Sequence, residues 1–198
     1  FVDDDSSDGT ADVVRVLSRS DPRVRCVHRI DRRGLSSACV EGVLATAAPY
    51  VAIMDADLQH DEAILPQMLA ALKAGNVDMA VGSRYIEGGG VGQWDEGRVA
   101  KSQLATRLSR LVVPEALKDP MSGFFMFTRE TFMGSVRNLS SIGFKLLVDL
   151  FASSPRPLRF VEVPYQFRTR VAGESKLDNR VAWDYCMLLL DKTVGRWV

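Results

Sequence analysis

Asp55 and Asp57 stand one residue apart at the end of the apolar run Tyr50-Val51-Ala52-Ile53-Met54. In an extended chain, side chains at i and i+2 point the same way. The two carboxylates therefore project together from a strand end, with Ala56 turned aside. Carboxylates held that close repel unless a cation lies between them. A hard divalent ion with oxygen ligands, Mg²⁺ or Mn²⁺, suits them. Such an ion keeps one or two protein carboxylates and takes its other ligands from water and a phosphorylated substrate. Gln59 lies one further i+2 step along and offers another oxygen. The plain alternative is a solvated turn. His60 reads as a surface residue.

Other groups could do related chemistry. Val2 to Thr10 packs four acids and three hydroxyls into one strand-to-helix turn. Helix capping accounts for Asp8 or Thr10, but not for Asp3, Asp4 and Asp5 in succession. Carboxylates accept nucleobase N–H groups and ribose hydroxyls, so base or ribose recognition is expected. Arg84 ends another strand, as a surface salt bridge or as a clamp whose fork fits phosphate oxygens. Arg98, just past a glycine loop, is a second candidate. The turn Asp119-Pro120-Met121-Ser122-Gly123 is explained by its proline and glycine, yet could also line a cleft. Residues 168–177 form a basic loop with Arg170, Ser175 and Lys176. It is either a solvated connection or a loop that closes over a diphosphate.

The elements that must position these groups alternate. Phe1-Val2 reads as a strand tail, and Asp8-Gly9-Thr10 opens a helix with apolar Val13, Val14, Val16 and Leu17. Strands are expected at 24–27, 50–54 and 77–81, with helices at 34–48 and 61–74. The run Tyr50–Met54 has the pattern of a strand buried on both faces. Strands alternating with helices imply a mostly parallel sheet, whose ligands bind at the carboxyl ends of its strands. Residues 3–5, 55–57 and 82–84 should then converge on one edge. In the second half, 87–97 reads as a mobile glycine loop, 98–113 as a helix, 124–128 as a strand and 144–152 as a helix. A strand is expected over 158–167, made an edge or a bulge by Pro164. Residues 181–198 read as an amphipathic helix with Trp183, Leu188, Leu189 and Trp197.

Composition narrows the function classes. The chain has 198 residues, enough for one α/β domain. Its 25 basic and 25 acidic residues balance, so no global field draws nucleic acid. Cys26, Cys39 and Cys186 are scattered and read as reduced, mostly buried thiols in a cytosolic setting. No apolar run reaches the roughly 20 residues of a spanning helix, and no signal peptide is visible. A chain opening on Phe1-Val2-Asp3 suggests that the natural amino terminus is missing.

Five motifs in one order, VDDDSSDGT, DADLQHDE, GSRYIEGGG, DPMSGFF and RVAGESKL, resemble the family-2 glycosyltransferases of the polyprenol-phosphate sugar synthase type, the group of dolichol-phosphate mannose synthase. The resemblance implies a GT-A, Rossmann-like α/β fold with a mostly parallel central sheet flanked by helices. The family's first strand, with its PxYNE-like segment, is absent. It implies a nucleotide-sugar half over 1–85, an acceptor half with a closing loop over 86–177, and a C-terminal amphipathic helix over 178–198. By position, Asp3 and Asp4 match acids that contact the nucleoside. Asp55, Asp57 and Gln59 match the metal-and-diphosphate motif. Arg84, Arg98 and Ser122 match the acceptor side. Arg170, Ser175 and Lys176 match the closing loop, where some members carry a basic residue in place of Ala172. Many bacterial relatives continue into transmembrane helices; this chain stops at Val198.

The expected activity is inverting transfer of a hexose from GDP-mannose or UDP-glucose to a dolichyl or undecaprenyl phosphate, at the cytoplasmic face of a membrane. Asp57, Arg84 and Arg98 would carry it. A phosphate nucleophile is already largely ionised at neutral pH and needs no strong base, in keeping with the lack of an obvious catalytic His or Glu. A same-fold enzyme with a glycan or other hydroxyl acceptor would need a carboxylate base, for which Asp119 is the candidate. A phosphatase with an aspartyl nucleophile and a non-catalytic nucleotide-binding module complete the alternatives.

Overall fold

A computed structural model describes residues 1–92, 96–169 and 179–195. Strands β1 (Val2–Asp3) and β2 (Val27–His28) pair in parallel. Strands β3 (Tyr50–Ile53), β4 (Met79–Ser83), β5 (Phe125–Thr128) and β6 (Phe160–Pro164) form a second sheet in the order β3-β5-β4-β6. β4 and β6 are parallel, and β5 runs antiparallel to both of its neighbours. Three strands of this sheet thus share one direction and β5 opposes them. The cause lies in the connection before β5. The Phe124 carbonyl accepts from Gly82 N at 2.9 Å, so the chain re-enters at the carboxyl end of β4 and can only run back.

Helices α1 (Thr10–Ser20), α2 (Leu35–Leu44), α3 (Leu65–Lys73), α4 (Glu96–Ser109), α5 (Arg129–Ser135), α6 (Leu146–Ser153) and α7 (Asn179–Val194) connect and cover the strands. A short 3₁₀ turn, Glu62–Ile64, precedes α3. The period-two alternation of β5 feeds both faces of the sheet. Phe125 and Phe127 join a core with Phe132, Leu147, Leu150 and Leu188. Phe124 and Met126 join a second core with Met68, Leu72, Val163 and Tyr165. β4 is buried at every position, as befits a strand with neighbours on both sides.

Several expectations need correction. β3 is not covered on both faces: it is an edge strand in this sheet, and Ala52 and Met54 are exposed. α1 buries Ala11 and Val14, while Val13, Val16 and Leu17 face outward. The described part of the glycine loop is packed rather than loose. Gly90 bridges Gln166 and exchanges backbone bonds with Tyr165 and Phe167. A Cβ on Gly90 would come within 2.2 Å of Gln166 Oε1, so this glycine serves close approach. α5 carries no sequence signal beyond its cap, where the Thr128 hydroxyl accepts from Thr131 N at 3.2 Å. Pro164 does end an edge strand, since β6 closes the sheet order.

Asp78, buried before β4, accepts from Arg156 Nη1 and Nη2 at 2.7 and 2.8 Å and from Arg159 N at 2.9 Å. The Arg156 bonds, seconded by Arg159 and opposed by burial, hold its carboxyl far below the ordinary range. A carboxyl depressed by folding stabilises above its unfolded pKa of about 4 and loses that contribution as pH falls toward the folded value. Both arginines are half-exposed, so screening trims the effect to roughly 1–2 kcal/mol. In urea titrations Asp78→Asn is expected to be less stable by that amount at neutral pH. The gap should narrow as pH falls from about 5 to about 2.

Candidate active site

The acids after β1 divide their work. Asp3 is buried and its Oδ2 accepts from Ser6 N at 3.0 Å. Bonds from the Ser6 side chain and backbone lower its pKa against the cost of burial. Asp4 Oδ1 accepts from Arg29 Nη1 at 2.9 Å and its Oδ2 from Gly34 N at 2.8 Å. Arg29, itself buried, also reaches Ser37 Oγ at 2.7 Å. Asp5, with φ of 60°, turns out to His28 Nε2 at 2.8 Å. Asp8 accepts from Thr10 N at 3.0 Å at the start of α1. Each aspartate therefore has a local structural partner; the Asp8 cap was expected, and the partners of Asp3, Asp4 and Asp5 were not.

Beyond β3 the strand geometry ends at Leu58, whose φ is 62°. Asp57 Oδ1 accepts from Gln59 N at 3.1 Å, an Asx turn. The i+2 step from Asp57 to Gln59 is broken there. Gln59 is buried, and its Nε2 donates to the Arg168 carbonyl at 3.1 Å while its own carbonyl accepts from Arg168 N at 2.8 Å. It ties the acidic turn to the chain entering the basic loop. Asp55 Oδ2 packs against Gly123, where a Cβ would sit only 3.1 Å away. A side chain at Gly123 would press on the carboxylate, which would have to give by a few tenths of an ångström.

That turn is built around an ion pair. Arg84 donates through Nε and Nη2 to Asp119 Oδ2 and Oδ1, both at 2.7 Å, and its backbone N donates to Oδ2 at 3.0 Å. Asp119 is fully buried and Arg84 nearly so. Burial works against the Arg84 cation, and the Asp119 bonds outweigh it, leaving the pKa above its ordinary value. Glu162 on β6 accepts from the N–H groups of Lys118 and Asp119 at 2.8 and 3.0 Å. The Ser122 hydroxyl donates to the Gly82 carbonyl at 2.7 Å and accepts from Phe124 N at 3.1 Å. Ser122 therefore spends its polar atoms on the turn. Both oxygens of Asp119 face Arg84, which removes it as a free base.

The ends of β3 and β4 meet over the Asp119–Gly123 turn. The Cys39 thiol, on α2, feels Asp55, Arg29 and Asp4 together, and burial pushes it up to about 12. Lys145, just before α6, feels Arg84, Asp119 and Asp55. His60 is buried, against expectation, with its ring 5.2 Å from Phe124, 5.8 Å from Tyr165 and 5.6 Å from Phe167. Burial lowers it to about 4, so it is neutral at physiological pH. The residues present fit a hard cation. Asp55 and Asp57 offer oxygen alone. Among the described residues no three His, Cys, Asp or Glu side chains gather to enclose an ion. An ion would thus complete its shell from substrate and water.

With this geometry in view, known proteins are informative. The profile of glycosyl transferase family 2 matches residues 1–134. The chain belongs to that family. The dolichol-phosphate mannosyltransferase of Pyrococcus furiosus is 38% identical over 186 residues, covering 93% of this chain and 51% of that protein. The proteins of the same name from Mycosarcoma maydis and Saccharomyces cerevisiae are 36% and 35% identical, covering 96% and 100% of this chain. The chain spans 51%, 65% and 74% of the length of these three relatives. Among solved structures, glucosyl-3-phosphoglycerate synthase from Mycobacterium tuberculosis, crystallised with Mn²⁺, UDP-glucose and phosphoglyceric acid, aligns with a TM-score of 0.69 at 18% identity. That alignment covers 98% of this chain and 67% of the other. It supports the GT-A-like α/β fold expected of a family-2 domain.

Of the site residues read from sequence, Asp55, Arg84 and Ser122 meet at the Asp119–Gly123 turn, Asp57 and Gln59 form the acidic turn tied to Arg168, and Asp3 and Asp4 sit in the turn at the end of β1 with Ser6, Arg29 and Gly34. Arg98 lies on α4, which the Tyr85 hydroxyl joins to the end of β4 through Ser102 Oγ at 3.0 Å; its side chain lies outside the described residues, as do Arg170, Ser175, Lys176 and Trp197. Sequence reasoning missed the partnership of Arg84 with Asp119, which are 35 positions apart.

Proposed function

We propose that this family-2 domain transfers mannose from a nucleoside diphosphate donor to a polyprenyl phosphate, with inversion at the anomeric carbon. The observation that carries this choice of acceptor is the Arg84–Asp119 pair. A hydroxyl acceptor needs a carboxylate to take its proton, and the acid at hand has both oxygens engaged by Arg84. A phosphate arrives ionised and needs only positioning and compensating charge. The relatives named dolichol-phosphate mannosyltransferase support the same reading.

In this reading Asp3 and Asp4 meet the nucleoside, and Arg170, Ser175 and Lys176 face the diphosphate. Arg84 and Arg98 lie on the acceptor side, with Ser122 shaping its turn. Asp55 and Asp57 hold Mg²⁺ or Mn²⁺, which, when bound, neutralises charge on the departing nucleoside diphosphate. Gln59 fixes the acidic turn against Arg168, so the diphosphate side is set before substrate arrives. Arg84 is steadied by the Tyr85 and Phe167 rings, each 5.5 Å from its guanidinium carbon.

A lipid acceptor calls for a membrane face, and the surface offers one. On α7, Leu188 and Leu189 pack inward, while Trp183, Met187, Leu190 and Val194 are exposed at helical spacing. On α4, Leu104 and Leu108 are exposed, and Leu111 just beyond it is too. The Tyr185 hydroxyl donates to the Ala105 carbonyl at 2.8 Å, so α4 and α7 adjoin. No helix among the described residues is long and apolar enough to cross a membrane. Such a face suits an interfacial position. The test is transfer of radiolabelled mannose from GDP-mannose to undecaprenyl phosphate in anionic vesicles. Product is expected with the lipid phosphate and none with a free glycan. Glycan mannosylation instead would overturn the reading. Trp183→Ser with Leu190→Ser should release the protein from sedimenting vesicles while sparing turnover on a short-chain prenyl phosphate.

A further inference from the structure

The turn that grips Arg84 is itself held from behind, by a side chain that the proposed chemistry does not use. Glu162 lies on β6 at the level of Val81 on β4 and is half-buried. Its Oε2 accepts from Lys118 N at 2.8 Å and its Oε1 from Asp119 N at 3.0 Å. Two successive N–H groups on one carboxylate fix the direction of the peptide between them as well as its place. One acceptor alone would leave the turn able to rotate about a single bond. The sheet does not depend on this contact, since β4 and β6 pair along their whole length, Met79–Ser83 against Phe160–Pro164.

The approach to the turn is anchored as well. Arg110, just beyond α4, donates through Nη1 to the carbonyls of Pro114 and Leu117 at 2.9 and 2.7 Å. At the far end the Ser122 hydroxyl donates to the Gly82 carbonyl. Between these anchors stands Asp119, whose carboxylate takes the Arg84 backbone N, Nε and Nη2. A continuous path of hydrogen bonds therefore runs from β6 through Glu162, the Asp119 N–H and the Asp119 carboxylate to the guanidinium. Rotation of the peptide between Lys118 and Asp119 would swing that carboxylate and carry the guanidinium with it. Setting one acid behind another is opposed by their like charges. A carboxylate alone offers two acceptor oxygens and no donor, which accounts for glutamate rather than glutamine at this place.

We infer that Glu162 is a positioning residue for the acceptor phosphate, acting through Asp119 on Arg84; the inference rests on the reading that puts Arg84 on the acceptor side. Guanidinium bonds to phosphate are short and directional. A misplacement of about 1 Å costs up to about a hundredfold. The effect of Glu162 should therefore fall on the acceptor and leave the donor alone.

The test compares wild type, Glu162→Gln and Glu162→Asp, with Asp78→Asn as a control that loosens the opposite ends of β4 and β6 without touching the turn. Binding of farnesyl phosphate and of GDP is measured by calorimetry, and both KM values by mannosyl transfer, well below the melting transitions. Glutamine keeps the shape but turns an NH₂ group toward one of the two N–H donors. Glu162→Gln is expected to weaken farnesyl phosphate binding and raise its KM by about tenfold or more. GDP affinity and the GDP-mannose KM should stay within about twofold of wild type. Glu162→Asp, one carbon shorter but with both oxygens, should recover part of the loss, and it carries the comparison if the glutamine variant melts too low. Asp78→Asn should move neither KM. Unchanged farnesyl phosphate binding in both Glu162 variants, an equal loss of GDP binding, or the same rise in acceptor KM in Asp78→Asn would each overturn the inference. A wild type that binds farnesyl phosphate but transfers no mannose to it, with binding still weakened in Glu162→Gln, would sink the functional reading and leave the positioning role standing.

Discussion

Asp57→Ala is expected to lower mannosyl transfer by about three orders of magnitude or more while the thermal midpoint stays near that of the wild type. The loss has one physical source. The departing diphosphate must be neutralised, and the Asp57 side chain is one of two carboxylates that can hold a hard cation at the strand end. Its carboxylate accepts from the next-but-one backbone N–H, at 3.1 Å, within a turn that Gln59 also ties to Arg168. Single-turnover rates at saturating Mn²⁺, beside melting curves, separate the two effects. Near-normal turnover in the variant, or in wild type stripped with EDTA, would remove the proposed cation from the reaction.

Asp119→Asn should act in the opposite sense, on the fold before the chemistry. The substitution keeps the shape but leaves the buried Arg84 guanidinium without its counter-ion. Breaking one partner of a buried pair costs about 3–5 kcal/mol. The damage spreads, since Asp119 also accepts from the Arg84 backbone and its turn carries Ser122 and Gly123 against Gly82 and Asp55. Chemical denaturation is expected to show a loss of that size. A stable, inactive Asp119→Asn would instead make Asp119 a chemical participant. Replacing both Arg84 and Asp119 with Met and Leu should recover much of the stability and none of the activity.

What could be read from residue order was whatever has a local signature. The apolar run into Asp55 announced a strand end, and Pro164 announced an edge. Alternation of elements announced that the acidic and basic strand ends would share a rim. What could not be read was decided by pairings distant in sequence. Nothing in Phe124–Thr128 encodes strand direction, since an apolar alternation looks the same both ways. Whether Arg84 meets a substrate or Asp119 depends on a turn 35 residues on. His60 seemed peripheral because it follows polar residues, yet three aromatic rings, from just before β5 and just beyond β6, enclose it. The three aspartates after β1 looked too many for a turn until Ser6, Arg29, Gly34 and His28 were seen to receive them.

The reversed β5 has a consequence for biosynthesis. β3 and β4 do not touch as ladder partners; each bonds to β5 between them. Until the ribosome has released residue 128, both strands present raw backbone edges, and the rim at Asp55 has no floor. The segment that carries β3 and β4 is therefore unable to mature as the chain emerges and must wait for β5. Nascent chains paused before Phe125 would be the ones most dependent on chaperones.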